Sequence, residues 1–480
     1  MKATLKIQNC YSWLSSPDEK LKTNLWQALR FRELNYQHSR LYKQRKWDGF
    51  TDFFKKESGR FLTGLLPEIM FALKLWNVEL NIIDERNQIK FQYDKIEADF
   101  LQQWQPSGAT KFNLYDYQVD IVNQLLKYNR GIVSAATGGG KTEIMIAILK
   151  TLPPNTPTLI LANKKSLVEQ NYERLEEWGF QNFGRLYDKY LEPNVFTCAT
   201  VQSLHKIEKL LPHIKCLIVD EIHDMMSKTP KAFYNKLKNC SVRVAVSATW
   251  EKFGGRDKSQ RYSVKGYFGR VLETDSEVAE NGVVKTALLQ KRGTLSGSNC
   301  TFYPIREPEL PHDVYLDAVT NGIANNFHFH EVVSKLAKKC TGRTLILVER
   351  IDHGDILQKI MPNALWVAGK DDLETRKEVI EKLQKTSDGN VVAIATQGIF
   401  NAGINVKIHN LINAAGGQAE HIIIQRMGRG LRTAGDKDVL NYYDFVFEIN
   451  DYLLKHSNKR IKILKKEGHE IKVKDNLNDL

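Results

Sequence analysis

The segment Ala135-Ala136-Thr137-Gly138-Gly139-Gly140-Lys141-Thr142 sets three consecutive glycines ahead of a lysine and a hydroxyl. Ile132-Val133-Ser134 before it reads as a buried strand, and Glu143-Ile144-Met145-Ile146-Ala147-Ile148-Leu149 after it reads as a helix. Glycine lacks Cβ and tolerates positive φ, so backbone amides can wrap closely around an oxyanion. The start of a helix adds its own N–H groups and positive potential. In that setting Ala136, Thr137, Gly138, Gly139 and Gly140 would cradle phosphates, Lys141 would reach the β- and γ-phosphates of ATP, and Thr142 would hold Mg²⁺. Ala135 stands where the commonest spelling has glycine. Taken alone, the segment also fits an ordinary glycine-rich turn.

A second pair lies downstream. Cys216-Leu217-Ile218-Val219 is an apolar run that ends in Asp220-Glu221. Carboxylates at the C-terminal end of a buried parallel strand lie where ligands bind in α/β sheets. Asp220 is expected to hold Mg²⁺, and Glu221 to orient or deprotonate an attacking water. His223 follows as a residue expected to couple this region to the next, together with Ser247 and Thr249 of Ser247-Ala248-Thr249. An Asp-Glu pair is also a common helix start, and a histidine is often a hydrogen-bonded structural residue.

Gln425, Arg429 and Arg432 recur at i, i+4 and i+7, which places three polar side chains on one helical face. A solvated basic face is one reading. In the sharper one they close over the γ-phosphate from a second domain, where arginine fingers are typically worth about 10³–10⁵ in rate. Hydrolysis would then open and close two domains.

These four motifs, in this order, resemble those of superfamily 2 DNA and RNA helicases over roughly residues 110–450. The Asp-Glu-Ile-His and Gln-x-x-Gly-Arg-x-x-Arg forms are most similar to phage recombination helicases of the UvsW type. The resemblance implies two tandem RecA-like parallel-sheet motor domains in an α/β chain, with ATP and Mg²⁺ as nucleotide and cofactor. It implies an adenine contact at Gln118 and a nucleotide-domain motif around Thr396, Gly398, Asn401, Gly403, Ile404 and Asn405, where Asn405 departs from the usual aspartate. It also implies backbone contacts to a tracked strand from Lys164, Lys165, Ser166, Thr200, Gln202 and Thr396. Hydroxyls, amides and lysines suit that task, because phosphate contacts position without reading sequence; helix capping is the competing role of such hydroxyls. The implied activity is ATP-dependent remodelling of branched DNA (Holliday junctions, displacement loops, R-loops and forks). The backbone-reading loops leave an RNA helicase open. A motor subunit of a restriction-type assembly is the other alternative.

The 480 residues suit about three domains. The formal net charge of +13 favours a polyanion partner through counterion release. The six cysteines are scattered without a Cys-x-x-Cys pair, which argues against a zinc ribbon or a redox motif and for small core residues. No apolar run approaches membrane-spanning length, and Met1-Lys2-Ala3-Thr4 leads into an alternating strand rather than a signal sequence. A monomer in the cytoplasm, that of the host cell if phage-encoded, is expected.

The elements that must position these groups divide at three places. Residues 1–106 are expected to form a small N-terminal α+β accessory domain that binds DNA, 107–283 the ATP-binding motor domain and 284–480 the second motor domain. In the first, Leu5-Lys6-Ile7 alternates as a strand, Asp18 to Tyr36 looks helical, and Val78–Ile83 with Ile89–Tyr93 reads as a hairpin. Its basic stretch, Arg40 to Lys56, carries Lys46, Trp47, Phe50, Phe53 and Phe54. That is either a duplex-binding patch with an aromatic wedge, or aromatic core with solvated lysines. Pro106-Ser107-Gly108 reads as a linker, Lys291 to Pro311 as loop-rich, and Lys455 to Lys474 as a basic tail that either docks as an amphipathic helix or lies along DNA.

Overall fold

Apolar runs of four to six residues form the strands that carry the motifs, in a computed structural model that describes residues 2–105, 111–248, 250, 258–310, 314–385, 389–400, 408–431 and 439–480. The chain divides into two compact units: residues up to Ala135 with Gly140–Val284, and Lys285–Leu480 with the four loop residues Ala136–Gly139.

The first unit holds a seven-stranded sheet. Its order is Tyr190–Leu191, Phe183–Tyr187, Phe196–Thr200, Thr158–Ala162, Cys216–Val219, Val242–Ser247 and Arg130–Ser134, parallel except at the Tyr190–Leu191 edge. Every residue of Arg130–Ser134, Thr158–Ala162, Cys216–Val219 and Val242–Ser247 is buried. Strands covered on both faces read as near-continuous apolar runs, as Thr158–Ala162 and Cys216–Val219 do, whereas Arg130–Ser134 and Val242–Ser247 each carry one buried arginine. The helix Asp116–Tyr128 leads into the sheet. Tyr117, Ile121, Val122 and Leu125 form its buried stripe, and Asn129 ends it in the left-handed region at φ 59°.

The N-terminal region of the same unit is a four-stranded sheet in the order Arg60–Leu62, Tyr11–Ser15, Lys2–Ile7 and Glu79–Asp84. The helices Glu19–Ala28 and Leu66–Leu75 complete it over a core that includes Leu5, Leu14, Leu25, Phe54, Phe61 and Ile69. Asp18 caps the first helix by accepting from the Lys20 and Leu21 amides, and the helix stops at Ala28, short of the expected Tyr36. Chain continues as the strand Arg30–Arg32, paired with Phe50–Asp52.

The expected hairpin does not form. Glu79–Asp84 pairs in parallel with Lys2–Ile7, and residues 89–93 are not a strand. The second arm takes its partners from the motor part instead. Gln92 N donates to Thr151 O at 2.9 Å, and Ile96 N donates to Asn123 Oδ1 at 2.8 Å. Phe31 also stacks on Tyr262 with ring centroids 4.3 Å apart, Lys265 pairs with Glu68 at 2.7 Å, and Tyr11 donates to Asn235 Oδ1 at 2.8 Å. The N-terminal sheet and the first motor sheet are thus one packed body, whereas Pro106-Ser107-Gly108 lies outside the described residues.

The second unit holds a seven-stranded sheet, parallel throughout, in the order Leu365–Val367, Val391–Thr396, Arg343–Val348, Asn410–Asn413, Val439–Phe447, Gly297–Ile305 and Ile471–Val473. Two expectations change here. The loop-rich stretch contains a nine-residue strand, Gly297–Ile305, in register with Val439–Phe447 along its whole length. Its Gly-Ser-Asn start has low strand propensity, and the pairing overrides it. The basic tail docks: Asp451–Lys466 is a helix whose Leu453, Ser457, Arg460, Ile463 and Leu464 are buried, and Ile471–Val473 joins the sheet. All six cysteines are buried free thiols. Among the described residues no helix is long and apolar enough to cross a membrane.

Candidate nucleotide and nucleic-acid site

The parallel register puts the C-terminal ends of Arg130–Ser134, Val242–Ser247 and Cys216–Val219 side by side at one sheet edge. The glycine loop leaves the first of these strands, Ser247 ends the second, and Asp220-Glu221 leaves the third.

The loop has the backbone a phosphate cradle needs. Gly138 and Gly140 sit at φ 83° and 70°, and Gly140 is the N-cap of the helix Lys141–Thr151. A Cβ at Gly140 would come within 2.0 Å of Gln118 Nε2. Gln118 is only 1% exposed; its Oε1 accepts from Tyr115 N at 2.8 Å and its Nε2 donates to Gly140 O at 3.2 Å. The amide therefore props the loop from below. Thr137 is 8% exposed, and its Oγ1 is buried without a hydrogen-bond partner. An orphaned hydroxyl in a glycine loop fits a phosphate oxygen as the acceptor it lacks. Lys141 Nζ lies 3.3 Å from Ala135 O, which holds the ammonium back across the loop.

Asp220 N donates to Leu161 O at 2.8 Å, anchoring the carboxylate pair to the neighbouring strand. Glu221 N donates to Asp220 Oδ1 at 3.0 Å, and Glu221 adopts φ 49°. A non-glycine residue in the left-handed region costs about 1–3 kcal/mol and concentrates at functional sites. The bend aims the Glu221 carboxylate at His223, whose Nδ1 lies 3.3 Å from Glu221 Oε2 and 3.2 Å from Ser247 Oγ. Burial lowers the His223 pKa; Asp224 and Asp220 oppose the shift, while Lys141 and Lys164 add to it.

The strand ends that would face a polynucleotide open on the same edge. Lys164 is the N-cap of the helix Lys165–Glu177, Lys165 pairs with Asp188, and Ser166 is half-buried. Thr200 stands at the N-cap position of the segment Val201–His213, and its hydroxyl shares a 3.0 Å hydrogen bond with the Ser203 hydroxyl rather than capping a backbone amide. Gln202 is exposed. Thr249 lies outside the described residues.

In the second unit, Thr396 ends the strand Val391–Thr396 with its Oγ1 buried and without a hydrogen-bond partner. Gln425 is 8% exposed on the helix Glu420–Gly430. Arg429 belongs to that helix, but its side chain is not among the described ones; Arg432, Asn401, Gly403, Ile404 and Asn405 lie outside the described residues. The helix is held by Arg426, which sequence spacing passes over. Arg426 Nη1 donates to Asn413 Oδ1 at 2.6 Å and Gly416 O at 3.0 Å, and Arg426 also pairs with Gln397. Beneath it, Arg460 binds both oxygens of Asp444 at 2.9–3.2 Å and donates to Gly417 O at 2.9 Å. The available signal for Arg460 is its spacing of three and four residues from Ser457, Ile463 and Leu464 on the apolar face of an otherwise basic helix.

The aromatics of the basic stretch go chiefly to the core: Phe53 and Phe54 are buried, and Trp47 is half-buried with its Nε1 donating to Phe50 O at 2.6 Å. Arg40, Lys43, Arg45 and Lys46 are exposed on the surface of that domain.

Residues 111–252 match the family model of the type III restriction enzyme res subunit. The chain is 23% identical to the ATP-dependent DNA helicase uvsW of Enterobacteria phage T4, over 74% of this chain and 76% of that protein. It is 24% identical to the DNA 3′-5′ translocase XPB2 of Sulfurisphaera tokodaii, over 79% and 94% of the two chains. In fold it is similar to Dbp5 of S. cerevisiae bound to RNA and ADP BeF3, with a TM-score of 0.55 at 18% identity, covering 77% of this chain and 91% of that one.

Proposed function

We propose that this chain, a superfamily 2 helicase and hence an ATP-dependent motor, translocates on DNA and remodels branched substrates. The observation that carries the nucleotide site is the placement of the glycine loop, Ser247 and Asp220-Glu221 at the ends of three adjacent parallel strands.

In this reading Ala136 to Gly140 cradle the phosphates of ATP, with Lys141 on the β- and γ-phosphates. Gln118 supports the loop and lies on the side expected to meet adenine. Thr142 and Asp220 would hold Mg²⁺, which would supply positive charge against the charge that develops on the phosphates. Among the described residues no group of three His, Cys, Asp or Glu side chains could hold a metal by itself. Glu221 accepts a proton from the attacking water, and Gln425, Arg429 and Arg432 act on the γ-phosphate. His223, Ser247 and Thr249 relay the state of that site. Lys164, Lys165, Ser166, Thr200, Gln202 and Thr396 contact the tracked strand through its backbone.

The similarity to a DNA helicase and a DNA translocase supports DNA as the track, and the exposed basic surface around Lys43 and Lys46 supports a preference for branched DNA. Steady-state ATP hydrolysis compared across single strands, duplex, a four-way junction, an R-loop and RNA tests it. Greatest stimulation by the junction or R-loop is expected. Stimulation by RNA alone would contradict the reading.

A further inference from the structure

Arg130 begins the strand Arg130–Ser134, roughly 13 Å along the strand from the end that carries the nucleotide loop, at about 3.3 Å per residue. It is only 9% exposed, and its Nη2 donates to Asn9 O at 2.8 Å. Burial, then the neighbouring Arg243 and Arg86 cations, push its guanidinium down to about 9; the opposing contributions come from the Cys240 and Cys10 thiols rather than from a carboxylate. Arg243 is compensated differently. It donates to Leu237 O at 2.6 Å, Tyr234 O at 3.3 Å and Cys240 O at 3.4 Å, carbonyls around the negative C-terminal end of the helix Lys228–Lys236. Arg130 lacks such an arrangement, and a buried charge without an opposite charge is costly.

A polar cavity of about 130 Å³ lies beside Arg130, where the N-terminal region meets the first motor sheet. Asn9, Arg86, Gln88, Lys127, Arg130 and Ser241 contribute to its wall, and among the described residues no acidic side chain lines it. Ser241 is 5% exposed, and its Oγ has no hydrogen-bond partner. Asn9 is 2% exposed with Oδ1 likewise unpartnered. A hydroxyl donor and several cations are what an oxyanion takes, and the Asn9 carboxamide beside them holds its N–H 3.5 Å from Asn87 O. Arg86 is oriented by Asp84, which its Nη2 meets at 2.6 Å, and exposed Lys127 stands at the mouth.

We propose that this cavity is a second phosphate site, separate from the nucleotide loop, which takes inorganic phosphate or a terminal phosphomonoester. Its walls come from both sides of the junction, so occupancy ties the N-terminal region to the motor sheet and raises the stability of the pair by mass action.

The test uses the full chain with Lys141→Ala, which weakens the nucleotide loop, and the two cavity variants below assign any remaining response to the cavity. Unfolding temperature is followed against orthophosphate at constant ionic strength, with chloride as the balancing anion. A saturable rise is expected. Gln88→Glu sets a carboxylate at the wall and Ser241→Ala removes the unpartnered hydroxyl, so each should raise half-saturation at least tenfold. A parallel titration with a 5′-phosphorylated and a 5′-hydroxyl dinucleotide separates a DNA end from free phosphate as the source; a response to either phosphate form supports the site. The absence of any saturable response, or unchanged half-saturation in both variants, overturns it.

Discussion

His223 Nδ1 lies 3.2 Å from Ser247 Oγ, and the carbonyl of the same serine accepts from Ala135 N at 3.3 Å. The residue after the carboxylate strand and the first residue of the phosphate loop therefore meet on one serine. A change in the charge beside Glu221 has a direct route to Ser247, the last residue of the strand Val242–Ser247. Replacing His223 with Ala should leave basal ATP hydrolysis within about threefold but cut strand separation per ATP by tenfold or more. Ser247→Ala should reproduce the uncoupling. Parallel loss of hydrolysis and unwinding would instead make His223 part of the chemical step.

Gly140 tests the loop's backbone. It combines φ 70° with a Cβ position 2.0 Å from Gln118 Nε2. Gly140→Ala is expected to cost about 1–3 kcal/mol in strain and contact and to weaken ATP binding at least tenfold. Nucleotide titration followed by unfolding temperature measures both. Gln118→Ala in the same chain relieves the contact but not the φ, so it should restore only part of the loss.

The Arg460–Asp444 pair lies beneath the helix that carries Gln425. Both side chains are almost fully buried, at 1% and 0% exposure. Breaking a buried pair from one side typically costs about 3–5 kcal/mol, because the partner keeps an uncompensated charge. Arg460→Met should lower the unfolding temperature more than Arg460→Met with Asp444→Leu. Equal or additive losses would show that the pair contributes through packing alone.

Acid should destabilise the second unit through His330 and His353, whose rings stack with centroids 5.0 Å apart. Burial pushes His353 down to about 3, with His330 adding to the shift, and burial also lowers His330. Both values fall below the unfolded one near 6.5, so the unfolded chain binds more protons in between. Stability is then complete above about pH 6.5 and is lost as pH falls toward 3. His353→Phe should flatten the fall in unfolding temperature between pH 6.5 and 4. An unchanged slope would rule the pair out.

What could be read ahead of the structure follows from where the determining partners lie. Cys216 to Val219 and Thr344 to Val348 announce themselves because a strand buried on both faces must be apolar along its length. The motif carboxylates and the glycine loop then follow from position at strand ends. Gly297–Ile305 was illegible because its order comes from nine residues of register with Val439–Phe447, far along the chain. The arm at 89–93 failed for a similar reason: its alternation fits a strand, but its backbone partner is Thr151, at the end of the helix Lys141–Thr151 rather than on a strand. Arg460 read as one cation of a basic tail, since nothing local reveals that Asp444 waits beneath it. The packed junction between the N-terminal region and the motor also changes how that region should be tested. Deleting it would uncover Tyr262, so charge reversal at exposed Lys43 and Lys46 is the cleaner probe of junction binding.

The central claim is that one ATP site, built on Lys141, drives work on DNA. DNA-stimulated ATP hydrolysis by the wild type and by Lys141→Ala, with unfolding temperatures matched, tests it most directly. The wild type should show at least tenfold stimulation by DNA and the variant no turnover above background, with DNA affinity retained within about threefold. DNA-stimulated turnover that survives in Lys141→Ala would contradict it.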